Sequence, residues 1–233
     1  MSSLGERLYD CFLKDNRYMY LVKGLGNTVL ITVFALLLGV VLGFLVALVR
    51  VSASREGEKQ GPLLRVLNFI CMVYLTIIRG TPIVVQLMIM YFVILKSGAP
   101  VLIAILSFGI NSGAYVAEVI RSGIQSIDRG QTEAGRSLGL GSRQTMFYII
   151  LPQAFKNVAP AIFNEFIALL KETSVAGYVG IQDLTKGGDI IRSLTYDAFP
   201  PLLMVAVVYL IIVIFLTMIL HRIEGRLAKS DLR

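Results

Sequence analysis

The chain has 233 residues, 56% of them hydrophobic and only 16% charged, with a net charge of +7. Water-soluble domains carry about a quarter charged residues, so this composition excludes an ordinary soluble domain and points to a membrane. The basic excess does not imply nucleic acid, because the Lys and Arg residues are scattered between apolar runs instead of forming one patch.

Three charge-free runs carry the membrane argument: Gly24 to Val49 is 26 residues, Ser97 to Ala117 is 21, and Ala198 to Leu220 is 23. About 20 apolar residues cross a hydrocarbon core of about 30 Å. Within lipid a single segment satisfies its own backbone only as a helix, and the runs lack the period-two alternation of a barrel strand. The expected fold class is an all-α membrane protein with five transmembrane helices. Cys11 and Cys71 lie in different segments, show no metal-ligand spacing and read as free thiols. The start MSSLGERLYD mixes acids and bases ahead of an apolar run too long for a cleavable signal, so none is expected.

In chain order, residues 1–23 read as an amphipathic segment at the membrane surface, with Leu4, Leu8, Phe12 and Leu13 among charges, or as a partly ordered tail. The membrane part runs from 24 to 222. Its first span covers 24–49, with Asn27 and Thr28 as a polar start and Gly39 and Gly43 as a small-xxx-small pair that lets helices approach. A polar loop with Arg50, Arg55, Lys59 and Arg65 follows. The second span, 66–95, is interrupted by Arg79-Gly80-Thr81-Pro82. Thr81 can cap and Pro82 suits a first turn, so a new helix is expected there, about 20 Å long to Leu95. One long kinked helix is the alternative, and the path of residues 62–82 stays open between the two. The third span is 98–121. A charged loop at 122–152 leads to the fourth span, 155–178, which Asn164, Glu165, Lys171 and Glu172 interrupt. Residues 179–197 read as a polar outer connection, 198–221 as the last span and 223–233 as a basic tail, with His221 at the interface.

Counted by alternating sides, one face carries 13 Lys and Arg and the other 8, with Arg79 counted on neither side completing the 22. The richer face holds the loops at 50–65 and 118–156 and the C-terminus, which places these in the cytoplasm and the N-terminus outside.

The loop at 122–152 reads as two short helices. Thr132 is expected to cap a first turn containing Glu133, where a carboxylate favours a helix N-terminus. Ala134, Gly135, Ser137 and Gly139 keep one face thin, Gly139-Leu140-Gly141-Ser142 breaks the helix, and Ser142 caps the next. Leu151-Pro152 either stops that helix or begins the fourth span. A thin helix with an exposed acid, Arg136 and Arg143 suits insertion into a cleft on another protein; an ordinary solvated loop is the alternative.

The pattern Glu133-Ala134-Gly135, three residues, Gly139, nine residues, Ile149, one residue, Leu151-Pro152 resembles the EAA loop of permease subunits of binding-protein-dependent ABC importers. Gly135 departs from the usual second Ala, at a helix cost of about 0.5–1 kcal/mol. Gly24-Leu25-Gly26-Asn27-Thr28, Arg79-Gly80-Thr81-Pro82 with Gln86, and Lys171-Glu172-Thr173-Ser174 look like the polar amino-acid branch. The resemblance covers about residues 20–228. It implies a type I ABC importer permease fold in a bacterial inner membrane. It also implies ATPase coupling through a cytoplasmic EAA-type loop with Glu133, Ala134, Gly135, Ser137, Leu138, Gly139 and Leu140. The implied partners are a dimer of ABC ATPase subunits, a second permease subunit, identical or not, and an extracytoplasmic solute-binding protein. ATP and Mg would sit on the ATPase. The chain has no Gly-rich Lys-Ser/Thr phosphate loop of its own and reads as a transport subunit, not an enzyme.

Polar groups at membrane depth are costly and mark solute paths or helix contacts. Gln86, Asn111 and Ser112 are expected near the midplane, about 14–20 Å below the outer ends of their helices. Asn164, Glu165, Lys171, Glu172, Thr173 and Ser174 complete the candidate substrate path. Lys171 would lie about 28 Å up if Pro152 opens its helix and about 16 Å if Pro160 does. Glu165 and Glu172 share a face at seven-residue spacing, which would favour a cationic amino acid. Pairing with Arg79 or a second subunit is the alternative, and Arg79 itself reads as a structural or snorkelling group. A passive channel or ion-coupled carrier using Glu165, Lys171 and Glu172 is the competing function, and a membrane anchor for an enzyme complex a third.

Overall fold

The computed structural model describes residues 4–54, 61–96 and 98–229. Arg55 and Lys59 of the first inner loop, Ser97, and the end of the basic tail lie outside the described residues. The described chain is helical almost throughout. In order come α1 (Leu4–Leu8), α2 (Tyr18–Ala53), α3 (Pro62–Gly80), α4 (Ile83–Ile89, prolonged by a π-helical turn at Met90–Ile94), α5 (Pro100–Gln125), α6 (Arg129–Ser137), α7 (Ser142–Thr145), α8 (Leu151–Glu172), α9 (Leu184–Thr195) and α10 (Phe199–Lys229). Among the described residues, five stretches are long and apolar enough to cross a membrane: Tyr18–Ala53, Pro62–Gly80, Pro100–Gln125, Ser142–Val179 and Phe199–Leu227.

Several boundaries differ from the pattern read off the sequence. The first long helix starts at Tyr18, so Asn27 and Thr28 lie inside it and do not open it. The break after Gly80 is real, and Pro62–Gly80 is long enough to span by itself. The next helix is capped by Pro82 with no side-chain bond, not by Thr81. The segment at 179–197 is not a plain connection, since it contains α9, capped by Asp183. The helix containing Lys171 begins at Leu151, so Pro152 opens it and Pro160 lies within it. Lys171 is therefore about 30 Å along the axis, the higher of the two alternatives.

The chain forms two compact units. The first comprises residues 1–37, 81–109 and 166–219. Its core joins Ile31 and Ala35 of α2 to Leu87 of α4, Phe108 of α5, Leu169 of α8 and Ala176 in the 3-10 turn that follows α8. A second cluster gathers Cys11, Leu21, Leu184, Ile191 and Val205. Asn27 and Thr28 hold the chain between these clusters. The Asn27 amide donates to the Gln182 carbonyl at 2.8 Å, and the Leu184 backbone N–H donates to the Thr28 hydroxyl at 3.1 Å. Both bonds satisfy backbone groups that a buried loop would otherwise strand. Asp183 is fully buried, and its carboxylate accepts from the N–H groups of Thr185 and Lys186. Burial still pushes that carboxyl above its usual range, the N–H bonds offsetting only part of the cost. The N-terminal segment is tied down by a two-point ion pair from Arg7 to Asp197, at 2.7 and 2.8 Å, which holds the Asp197 carboxyl below its ordinary range.

The second unit comprises residues 38–80, 110–165 and 220–233. Here α2 and α5 cross closely. A Cβ at Gly39 would lie 3.0 Å from Ser112 Cβ, and one at Gly43 would lie 2.7 Å from Val116 Cβ and 2.9 Å from the Ala117 nitrogen. Small residues at four-residue spacing create this approach, as in tightly packed membrane helices. Leu75 of α3 packs on Ala114 and Ala117, and the Tyr74 hydroxyl donates to the Ile110 carbonyl at 2.5 Å.

Candidate coupling surface and membrane polar groups

The charged loop is built by local capping. Asp128, not Thr132, caps α6, accepting from the Gly130 N–H at 2.7 Å. The helix ends in the left-handed turn at Gly139, where φ is +82°. A glycine holds this turn without the steric cost that a Cβ would bring. The Leu140 N–H donates back to the Gly135 carbonyl at 3.1 Å and closes the C-terminus. The second helix is capped by Gly141, with Ser142 its first residue; the Gln144 side chain accepts from the Gly141 N–H at 2.9 Å. The chain then passes through a π-helical turn at Met146–Ile150 into α8.

Gly135 explains the thinness of α6. It is the one buried residue of that helix, and a Cβ there would sit 2.8 Å from Thr145 Cγ2 and 2.9 Å from Ile149 Cδ1. Glu133, Ala134, Arg136, Ser137, Leu138 and Gly139 are exposed, and Leu140 is partly buried. Leu138 is 81% exposed, and Phe147 and Tyr148 of the following turn are 67% and 74% exposed. Phe147 and Tyr148 escape the motif-based reading because they fall in the nine-residue spacer. Their signal is two adjacent aromatics between the short polar helix α7 and the start of α8.

The first unit places Gln86 on α4, where its amide donates to the Thr81 hydroxyl at 2.8 Å and to the Thr81 carbonyl at 3.0 Å. It thereby holds the turn that opens α4. Lys171 and Glu172 are exposed at the end of α8, Thr173 is buried and donates to the Leu170 carbonyl, and Ser174 is half-buried. In the second unit Asn111 and Ser112 are buried, Asn164 is exposed, and the Ser112 hydroxyl donates to Glu165 Oε1 at 3.0 Å. This bond joins α5 to α8 through one neutral and one acidic group.

The second unit also gathers charges that the sequence left apart. Glu118 of α5 pairs with Arg121 one turn later and with Arg79 of α3 at 3.7 Å, and the Arg79 guanidinium lies 5.7 Å from the centre of the Tyr115 ring. Beside them is a cavity of about 440 Å³ whose walls include Arg50, Met72, Thr76, Arg79 and Glu118. Arg79 is thus paired through its own unit. Glu118 sits one residue past the charge-free run, where sequence alone reads it as a loop charge.

Residues 62–229 match the family model described as the binding-protein-dependent transport system inner membrane component. The chain belongs to this family. Among curated relatives of this inner-membrane component, it is 35% identical over 221 residues to the arginine transport system permease protein ArtQ of Bacillus subtilis, covering 91% of this chain and 94% of that one. It is 36% identical over 212 residues to the glutamine transport system permease protein GlnP of Escherichia coli K12, covering 89% and 92%. Among solved structures, it superposes on a chain from a crystal structure of an amino acid ABC transporter with histidines at a TM-score of 0.83 and 36% identity, covering 92% of this chain and 98% of that one. A chain of the MetNI methionine ABC transporter shares the fold at a TM-score of 0.74 and 24% identity. The inner-membrane component is thus a multi-pass membrane protein with the permease fold.

Proposed function

We propose that this chain is the permease subunit of an ATP-driven importer for polar or basic amino acids, coupled to its ATPase through α6 and the turn at Gly139. The observation that carries this is α6 itself, a helix with one buried glycine and an otherwise exposed face, bearing the EAA-like pattern of the family. A docked helix of this kind turns closure of the ATPase dimer into motion of the membrane helices attached to it. ATP and Mg are bound by the partner ATPase subunits, a second permease subunit completes the membrane part, and an extracytoplasmic binding protein delivers the solute. The charge bias supports an outside N-terminus, a cytoplasmic loop at 122–152 and a cytoplasmic C-terminus. The lipid-facing surfaces of the helices sit in the bacterial inner membrane.

Glu133→Lys reverses the charge on the docking face without touching a buried contact. Co-purification of the ATPase with tagged permease is expected to fall about tenfold, which corresponds to about 1.4 kcal/mol of interface energy. ATP-dependent uptake into proteoliposomes should fall with it. Wild-type co-purification and uptake would sink the docking proposal, and wild-type uptake without ATP or binding protein would favour a carrier.

The basic preference rests on Glu165 and Glu172. Glu165→Gln with Glu172→Gln is expected to lower arginine uptake relative to glutamine uptake by about threefold to tenfold, the effect of losing about 1 kcal/mol of charge interaction. An unchanged ratio would remove the acidic groups from substrate selection.

A further inference from the structure

The cavity beside Arg79 holds more positive than negative charge. Among the described residues that line it, the guanidinium groups of Arg50 and Arg79 stand beside the carboxylate of Glu118, which Arg121, outside the lining, already engages. Arg79 reaches Glu118 only at 3.7 Å. Arg50 donates through one terminal nitrogen to Asn68 Oδ1 at 2.9 Å, while its Nε is buried without a hydrogen-bond partner among the described residues. A buried guanidinium N–H without an acceptor is costly, and a guanidinium fork matches a carboxylate in two-point geometry. The Tyr115 ring flanks Arg79 and helps hold the cation in place. The cleft is open on one side, and Met72 and Leu75 supply apolar wall.

We propose that this cavity is a carboxylate subsite that takes the α-carboxylate of the transported amino acid, with Arg79 as its principal donor, Arg50 in support and Glu118 facing the ammonium group. The assignment rests on the amino-acid transport reading above, and it gives a ligand role to Arg79, which the sequence reads as a structural or snorkelling group, and to Arg50 and Glu118. Selection at this subsite reads the backbone of the amino acid and leaves its side chain to other groups.

The test is equilibrium dialysis of the permease–ATPase complex in phosphatidylcholine nanodiscs, without the binding protein, whose own selectivity would mask the permease. The probes are radiolabelled L-arginine against agmatine and L-glutamine against 4-aminobutanamide, pairs that differ by the carboxylate. The wild-type complex is expected to bind each amino acid at least about tenfold more tightly than its decarboxylated partner. Arg79→Gln should close that gap by weakening the amino acid alone, and Arg79→Lys should keep part of it. If Arg79→Gln fails to assemble, Arg50→Gln is expected to narrow the same gap in an assembled complex. An undiminished gap in the assembled variants would overturn the proposal. So would finding that their only change is loss of a co-purified anionic phospholipid, quantified by mass spectrometry in nanodiscs made with phosphatidylglycerol. Absence of any ATP-dependent amino-acid uptake by the complete wild-type system would instead sink the transport reading.

Discussion

Gly135→Leu is expected to abolish ATP-driven uptake while leaving the permease folded in the membrane. Gly135 is the buried residue of α6, and its missing Cβ leaves room for Thr145 and Ile149. Thr145 is 1% exposed, its hydroxyl donates to the Gly141 carbonyl at 3.2 Å, and its β-branched side chain has few other rotamers. Leucine at 135 therefore cannot be absorbed by a small rotation; α6 must lift away from the start of the following helix. Overpacking of this kind costs about 1–3 kcal/mol, enough to reduce the docked geometry about tenfold to a hundredfold. The distortion is local to a water-exposed loop, so the amount of permease recovered from membranes should change by less than about twofold. Gly135→Ala is the instructive control. One methyl meets the same two side chains at 2.8 and 2.9 Å, and the about 0.5–1 kcal/mol of helix propensity that alanine regains offsets part of that cost, so uptake should fall by less than about tenfold. Full uptake by Gly135→Leu, or loss of the whole protein from the membrane, would show that α6 does not seat as described.

Gly43→Leu strikes the bundle itself. The Cβ would meet Val116 Cβ at 2.7 Å and the Ala117 backbone nitrogen at 2.9 Å. A backbone atom in the middle of a helix cannot swing aside, so α2 and α5 must separate. The expected cost is above the ~1–3 kcal/mol usual for overpacking, because packing contacts, not water exclusion, hold membrane helices together. Fluorescence-detected size-exclusion chromatography after heating should show a lowered midpoint or no monodisperse protein at all. Gly26→Leu supplies the contrast, since nothing lies within 4 Å of a Cβ there. Equal thermal midpoints for the two variants would rule out the close crossing.

The membrane class, the number of spanning helices and the EAA-like loop were legible because each is a local signal. Charge-free length sets a span, and glycines and caps at fixed spacing set a short helix. The helix ends are less legible. Thr132, Thr81 and Ser142 each had the chemistry of a cap, but Asp128, Pro82 and Gly141 stood nearer the actual turns. A cap depends on where the backbone leaves the helix, and several neighbouring residues can serve equally well in isolation. The Gly39–Gly43 pair illustrates the same limit from the other side. Its spacing permits a close crossing, yet only the fold supplies Ser112 and Val116 as the surface it crosses.

By itself the sequence determined that the chain crosses a membrane, that it carries an EAA-like loop, and that acidic and amide side chains interrupt its apolar runs. Those properties follow from transfer free energy and backbone geometry, which act along the chain. Only the tertiary structure decided which charges meet. Arg79 lies 39 residues from Glu118 and Ser112 lies 53 residues from Glu165, and no periodicity within one helix relates them. Their pairing follows from which helix faces pack together, and the low-dielectric setting then decides what each side chain can do.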